Sequence, residues 1–448
     1  MRRVLIIHYH FLPVHNVSTR RLVAYAQQMP ALGWHAVVLT REWRGLEEAD
    51  PAWGLSWEPH IEEGCACTIH RVRADPVVGA RAPAREGGSA PGIPGRASGL
   101  RRNVEKLLAK AARLRQIAFG AYPDEFVGWV GPAADAAERL ARAESIDVVM
   151  SYCPPETNHA VARRIARRLG VPWVPFFGDL YGFLDPPLPA LSLEGWAKRA
   201  WHRWCLAPAA ACAGVSPAMV DYLARAYGKP SHLIHTGFDP DDFPAPEPEA
   251  TKVRDRLIVS HVGSVYPGDQ RPEIFFDGLD QLLTQHPEVA KRLEVRFVGS
   301  KCDDRLRAML ESRPARQVCT IRPKVDSTTA LALVQSSDGL LAFTCTAHRD
   351  RYGTMSYPTK IFEAFGARRP ILAVPADADW VDALLAQTGG GVTARNADEV
   401  AGTLVDWFRT WERDGRVPYH GREIELAEFT RRRQVERLVA LFESVSRP

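Results

Sequence analysis

Lys360 and Glu363 stand three residues apart in YGTMSYPTKIFEAFGARRPILAVP, residues 352–375. A glycine-bearing loop precedes them and an apolar strand, 370–374, follows at once. At that spacing the two side chains share one helix face near its N-terminus. Such a helix end offers unpaired backbone N–H groups and roughly half a positive charge, which suits a diphosphate. A carboxylate one turn further in can accept hydrogen bonds from a ribose diol. The same spacing also serves a solvated ion pair, so the residue pattern alone leaves both uses open.

Several histidines fall where a strand would end or a helix begin. His8 and His10 flank the end of the first apolar run, His15 sits in the loop beyond it, and His159 opens a helical stretch. Each can line a cleft or serve packing. No GxGxxG follows the first strand, which argues against a dinucleotide oxidoreductase. The eight cysteines form no CxxC. Cys65 and Cys67 are the nearest pair, and reduced thiols are expected there rather than a metal site.

Strands and helices able to hold such groups alternate along the chain. The first half offers strands at 4–8, 36–40, 68–72, 147–152, 173–177 and 211–215, with helices such as 19–33 and 156–169 between them. The acidic, proline-rich DPDDFPAPEPE, 239–249, reads as a linker. A second series follows: strand 257–263, helix 272–285, strands 293–299 and 318–322, helix 327–336 and strand 339–344. The opening motif continues it, and the amphipathic stretch 424–445 predicts a C-terminal helix. Alternation of this kind implies parallel, doubly wound sheets. The expected class is α/β with two Rossmann-like domains, residues 1–245 and 246–425, and a closing helix within 426–448.

Length and composition agree with that division. A chain of 448 residues can bury two or three cores. A net charge of +4 is too small at this length to argue for nucleic acid, and no nucleic-acid motif is present. The N-terminal MRRVLIIHYHFLP has a short apolar run and no small-residue cleavage site, so no signal peptide is expected. No apolar run reaches the roughly 18 residues that span a bilayer. The expected location is cytoplasmic. One insertion, 80–119, breaks the pattern with a Gly-, Pro- and Arg-rich stretch and then a basic amphipathic helix over 100–119. That helix can lie on an anionic membrane at the inner face or dock on its own domain.

In their order and spacing these segments resemble a GT-B-fold glycosyltransferase of the retaining family 4 type, in the branch that builds bacterial surface polysaccharides. The resemblance covers nearly the whole chain. It rests on HYHFLP with RRLVAYAQQMPALGWHAVVLT, on DVVMSYCPPETNHAVARRIARRLGVPWVPFFGDLYG, on HLIHTGFDPDDF, on VSHVGSVYPGDQRPE and on YPTKIFEAFGARRPILAV. It implies two Rossmann-like domains facing across a cleft, with a C-terminal helix able to return to the first. It further implies an enzyme of hexosyltransferase type, with a nucleotide-sugar in the second domain and a lipid-linked or polysaccharide acceptor in the first. Neither cofactor nor metal is implied, and no nucleic acid.

The resemblance also assigns residues. Two glutamates eight positions apart frame the donor in the family; Glu363 matches the later, ribose-binding one, whereas Met355 occupies the earlier position. Gly263 ends the first strand of the second domain and is followed by Ser264 where the family tends to place arginine, which leaves Arg271 as the cation for the diphosphate. Lys324, Val325, Gly353, Thr354 and Lys360 complete the implied donor site. In the first domain a loop that is usually glycine-rich reads Pro13-Val14-His15-Asn16-Val17-Ser18, and His15, Asn16, Ser18 and His159 are the implied acceptor or cleft residues. Asp179, in FFGDLYG, is the candidate for orienting or deprotonating the acceptor, with a turn or cap aspartate as its other use. Asp377-Ala378-Asp379 spells the DxD that binds metal in the other glycosyltransferase fold, but in this context a surface turn is expected. A nucleotide-sugar 2-epimerase and a non-catalytic binding protein are the alternative readings of the same fold.

Overall fold

The computed structural model describes residues 1–43, 56–57, 59–73, 124, 126–180, 193–243, 255–265, 270–300, 303–344, 358–376 and 379–446. The insertion 80–119, the residues Gly353, Thr354 and Met355, and the pair Asp377 and Ala378 lie outside the described residues. Contacts divide the chain into two units, Met1–Ile234 with Val435–Pro448, and His235–Gln434. The end of the chain thus belongs with its beginning.

In the first unit seven strands run in the spatial order Cys67–Val72, Trp34–Arg41, Arg2–Ile7, Val148–Cys153, Trp173–Phe177, Cys212–Gly214 and Ser231–Leu233. All pairings are parallel. A parallel sheet is covered on both faces, so its strands read as unbroken apolar runs. Val4, Leu5, Ile6 and Ile7 are accordingly all fully buried. The second unit has six strands in the order Cys319–Arg322, Leu293–Val298, Leu257–Val262, Gly339–Phe343, Ile371–Val374 and Gly391–Thr393, again parallel throughout. Both are Rossmann-like. In each sheet the strand order reverses beside the first strand, and open α/β sheets bind ligands outside the carboxyl ends at that switch point.

Every strand expected from the apolar runs is present, within a residue or two of its expected bounds. Three differences have identifiable causes. The helix expected over 19–33 is Val17–Gln28, after which Pro30 forces a 3₁₀ turn, Met29–Leu32, closed by Gly33 at φ 79°. The single helix expected over 424–445 is two, Glu423–Ala427 and Arg431–Ser446. Between them Phe429 O accepts from Phe238 N at 3.0 Å and Arg431 N donates to Phe238 O at 2.7 Å, and that pairing draws the chain out of the helix. The start of the expected linker is also ordered. Asp239 caps a 3₁₀ turn, Pro240–Asp242, and Asp242 pairs with the largely buried Arg431 at 2.8 Å. The helix Ala397–Asp414 and the short edge strands Ser231–Leu233 and Gly391–Thr393 were not expected from the sequence.

The second core shows how closely helices must approach to cover a sheet. Pro272–Gln285 packs on Ala397–Asp414 through Phe275, Leu279 and Leu282 against Val400, Leu404 and Trp411, all buried. Gly278 sits at the crossing, where a Cβ would lie 2.6 Å from both the Ala397 carbonyl oxygen and the Val400 Cβ. Alanine would gain up to about 1 kcal/mol of helix propensity but overpack the contact at a cost of about 1–3 kcal/mol. Gly278→Ala is therefore expected to lower stability against urea with secondary structure intact. A stability gain in the unfolding midpoint would show that the two helices can separate at no cost.

Candidate functional site

Of the sequence-assigned donor residues, Gly263, Ser264 and Lys360 meet at the carboxyl end of Leu257–Val262. Gly263 follows this strand at φ 119°, in the region that favours glycine, and a Cβ there would lie 2.9 Å from the Lys360 Nζ. Lys360 opens the helix Lys360–Ala367 with Glu363, half-buried, in its first turn. The ammonium therefore rests against the Gly263 backbone at the positive end of a helix. Beneath it His261 is buried, with Nδ1 2.9 Å from Leu341 O and Nε2 3.3 Å from Ser264 O. Burial first, and the Lys360 charge second, hold the His261 pKa down to about 3, so the ring is neutral. A neutral ring carries one N–H, and it fixes the loop without adding charge beside the lysine.

Neighbouring strand ends contribute to the same edge. Gln270 donates through Nε2 to Phe343 O at 3.0 Å and is nearly fully buried. It anchors Arg271, which is exposed at the N-cap of Pro272–Gln285 and so adds its guanidinium to a second helix N-terminus. Gly299, at φ 78°, ends the adjacent strand and approaches the Lys324 Cα. Lys324 is exposed and Val325 half-buried. Lys360, Gly263 and Ser264 are thus brought together, while Arg271 and Lys324 flank them on neighbouring strand ends.

The first unit has its own polar edge. His8 is fully buried, with Nε2 3.0 Å from Ser18 Oγ. Ser18 donates to Asn16 Oδ1 at 2.6 Å, and Asn16 caps the helix Val17–Gln28 by accepting from Thr19 N. Asn16 and Ser18 are therefore engaged as a helix start. The His15 backbone lies in a short antiparallel pairing, Val14–His15 with Ser56–Trp57, and its side chain is outside the described residues. His159 lies inside the fold: Nδ1 meets Ser151 Oγ at 2.7 Å, and Trp173 Nε1 donates to that same oxygen at 2.8 Å. Burial lowers its pKa to about 3, and the nearby His202 adds to the effect.

Asp179 is half-buried just past Trp173–Phe177, with Oδ1 accepting from Leu180 N at 2.7 Å. Burial raises its pKa above the usual carboxylate value. Before it stands Gly178, where a Cβ would strike the Tyr152 hydroxyl, so that phenol lies directly on the Gly178 backbone. The buried Arg21 donates to the same hydroxyl at 2.7 Å. Asp124 accepts from Thr157 N at 2.8 Å and from the Thr157 hydroxyl, yet burial, with the nearby Glu156, raises its pKa to about 7. Arg21, Asp124, Tyr152 and His261 were not found by sequence reasoning. Arg21 and Tyr152 read as ordinary members of amphipathic or apolar runs, and no spacing signals Asp124. Among the described residues no cluster of His, Cys, Asp and Glu could hold a metal ion.

Residues 18–237 match the family model described as "Glycosyl transferase 4-like domain". No curated protein matches the chain by sequence. Solved structures of the same fold include a sucrose-phosphate synthase from Thermosynechococcus elongatus, 14 % identical at a TM-score of 0.61, with 99 % of each chain covered. HepE from Anabaena, solved with UDP-glucose, is 13 % identical at 0.62, covering 99 % of this chain and 100 % of its own. The lipopolysaccharide outer core galactosyltransferase WaaB is 12 % identical at 0.53, with 99 % and 100 % covered. At such identities these likenesses establish the GT-B fold.

The buried histidines predict an acid response. His10, His159 and His261 each have a pKa lowered to about 3 from 6.5, chiefly by burial. The unfolded chain takes up those protons below its own pKa, so their contribution is complete above 6.5 and is lost as pH falls towards 3. Near pH 5 each costs about 2 kcal/mol. Asp124 works in the opposite direction between 7 and 3.8, and Asp179, whose pKa burial also raises, acts in the same sense. Calorimetry should therefore show melting temperatures falling steeply from neutral pH to about pH 5. A flat profile would mean that these rings are not held neutral.

Proposed function

We propose that this chain, whose residues 18–237 match a glycosyl transferase 4-like domain on a GT-B fold, is a glycosyltransferase that moves a hexosyl group from a UDP-sugar to a lipid-linked or polysaccharide acceptor, with retention and without a metal. The observation that carries this reading is the Lys360 ammonium held on the Gly263 backbone at the start of Lys360–Ala367. A departing diphosphate gains negative charge in the transition state, and fixed cations with helix N-termini aimed at that charge are the main lever on its rate. Lys360 and Arg271 supply the cations, and a charge-assisted hydrogen bond from each is worth about 1.5–3 kcal/mol. Glu363, one turn into the helix, accepts from the ribose diol. The UDP-glucose complex of HepE supports the choice of nucleotide, and WaaB, a lipopolysaccharide outer core galactosyltransferase, supports a surface-polysaccharide acceptor.

Acceptor recognition belongs to the first unit in this reading. Asp179 orients or deprotonates the acceptor hydroxyl, with Tyr152 and Arg21 fixing the backbone before it. Burial lifts the Asp179 pKa, and a carboxylate made more basic in this way is a better proton acceptor. The enzyme works at the cytoplasmic membrane face, where a lipid-linked acceptor is presented. The basic segment 100–119 is one candidate contact, outside the described residues. Among those residues no helix is long and apolar enough to cross a membrane.

A panel of nucleotide-sugars, scored for nucleotide release with and without acceptor lipid and with EDTA present, tests the assignment. Acceptor-dependent UDP release that survives EDTA is expected. Interconversion of the donor without acceptor would favour the epimerase, and binding without turnover a non-catalytic protein. Two substitutions separate ground state from transition state. Glu363→Ala should weaken donor binding more than about tenfold, since it removes a charge-assisted hydrogen bond. Arg271→Ala should lower kcat more than it raises KM. Unchanged donor affinity in calorimetry removes Glu363 from the site, and a pure KM effect removes Arg271 from transition-state stabilisation.

A further inference from the structure

One helix of the first unit turns large aromatic rings outward. In Leu193–Leu206, LEGWAKRAWHRWCL, the inner side is filled by His202, Cys205 and Leu206. His202 Nε2 lies 3.2 Å from Glu156 Oε2, both buried, which ties this helix to the start of Thr157–Leu169. The outer side carries Trp196 at 65 % exposure and Trp204 at 54 %. Arg199, Ala200, Arg203 and Trp204 follow Trp196 by three, four, seven and eight positions, so all five share one face. A tryptophan more than half in water leaves an apolar ring unburied, and two on one face ask for a partner.

The charge around the rings is mainly positive, with Glu194 the acid of the same helix. Arg163, from Thr157–Leu169, lies 3.5 Å from the centre of the Trp204 ring and donates to Trp204 O at 3.0 Å. Arg167, one turn on, is exposed. The nearby acids Asp135 and Glu138 are engaged by Arg164 and Arg168. The stretch 196–206, WAKRAWHRWCL, contains no acid.

We infer that the face formed by Trp196, Arg199, Arg203, Trp204 and Arg163 docks this protein on the headgroup layer of an anionic bilayer. Tryptophan has an apolar body and a polar N–H and settles at that layer. Arginine is attracted to lipid phosphates, each residue near the surface adding about 1 kcal/mol, or about fivefold in affinity. The helix follows Trp173–Phe177 and precedes the parallel Cys212–Gly214, so it runs against the strands and begins at their carboxyl edge. Trp196, near its start, therefore lies towards the edge that bears Asp179. The inference gives the lipid-linked acceptor of the proposed function a physical route to that edge, and vesicle binding can be read with no acceptor present.

Flotation of the full chain with vesicles of phosphatidylcholine, with or without phosphatidylglycerol, tests it. Wild type should float with the anionic vesicles only, and less as salt rises. Arg199→Gln with Arg203→Gln should weaken binding about thirtyfold, at about fivefold per charge. Trp196→Ser with Trp204→Ser should also weaken it and remove the quenching of tryptophan emission by brominated lipid. An unchanged melting temperature in both variants shows that the fold is intact. Failure of the wild type to float overturns the inference, as does equal flotation of wild type and variants. So does loss of binding only on changing Arg101, Arg102, Lys106 and Lys110 to Gln, or a variant that converts a dimer to a monomer with vesicle binding unaltered. UDP release is followed in parallel: flotation without turnover sinks the glycosyl-transfer reading and keeps the docking face, and turnover without flotation does the reverse.

Discussion

A lysine ammonium held against the backbone of a glycine organises the second unit. A side chain at position 263 would meet the Lys360 Nζ at 2.9 Å, and the backbone there has φ 119°. The conformation is what requires glycine, because the end of the flexible Lys360 side chain could give way to a Cβ. The histidine below must also be neutral, because a second cation beside Lys360 would be repelled. Burial secures that by holding the His261 pKa near 3. The result is a single positive charge with a fixed position, at the start of a helix and at the switch point of a parallel sheet.

The first unit repeats the device with other groups. Gly178 leaves room for the Tyr152 hydroxyl just past Trp173–Phe177, and Arg21 grips that hydroxyl at 2.7 Å. Here too a polar group rests on a residue without a Cβ at the carboxyl end of a strand. Helix starts around it are held by side chains rather than left open. Asn16 caps Val17–Gln28, Asp124 binds the Thr157 backbone, and Glu156 holds His202. The first two bonds hold helix starts and the third joins two helices, while Asp179 lies just past the carboxyl end of its strand.

Departures from the family pattern fall at loops. Ser264 stands where an arginine is common, and Arg271 lies instead at the N-cap of Pro272–Gln285, with Gln270 tied to Phe343 O. The positive charge is displaced by several residues along one edge of one sheet. In the first unit the loop after Arg2–Ile7 lacks the usual glycines, and its Asn16 and Ser18 serve capping and the contact to His8. A loop whose polar groups are engaged internally has fewer of them to offer a ligand.

The sequence by itself determined the two doubly wound sheets, since buried parallel strands must be apolar runs and the crossover helices must alternate with them. It also determined Lys360 and Glu363 as neighbours, because spacing along a helix is local geometry. It could not show that Phe238 would pair with Phe429 and Arg431 and break the last helix, nor that Arg21 would reach Tyr152 across 131 positions. Those contacts join residues far apart in the chain, and each residue alone carries no sign of its partner. Nor could periodicity show that Trp196 and Trp204 face outward, since a tryptophan-rich helix reads as core until the rest of the fold fills the core without it. Close approach and burial are properties of packing. Only the tertiary structure decided them.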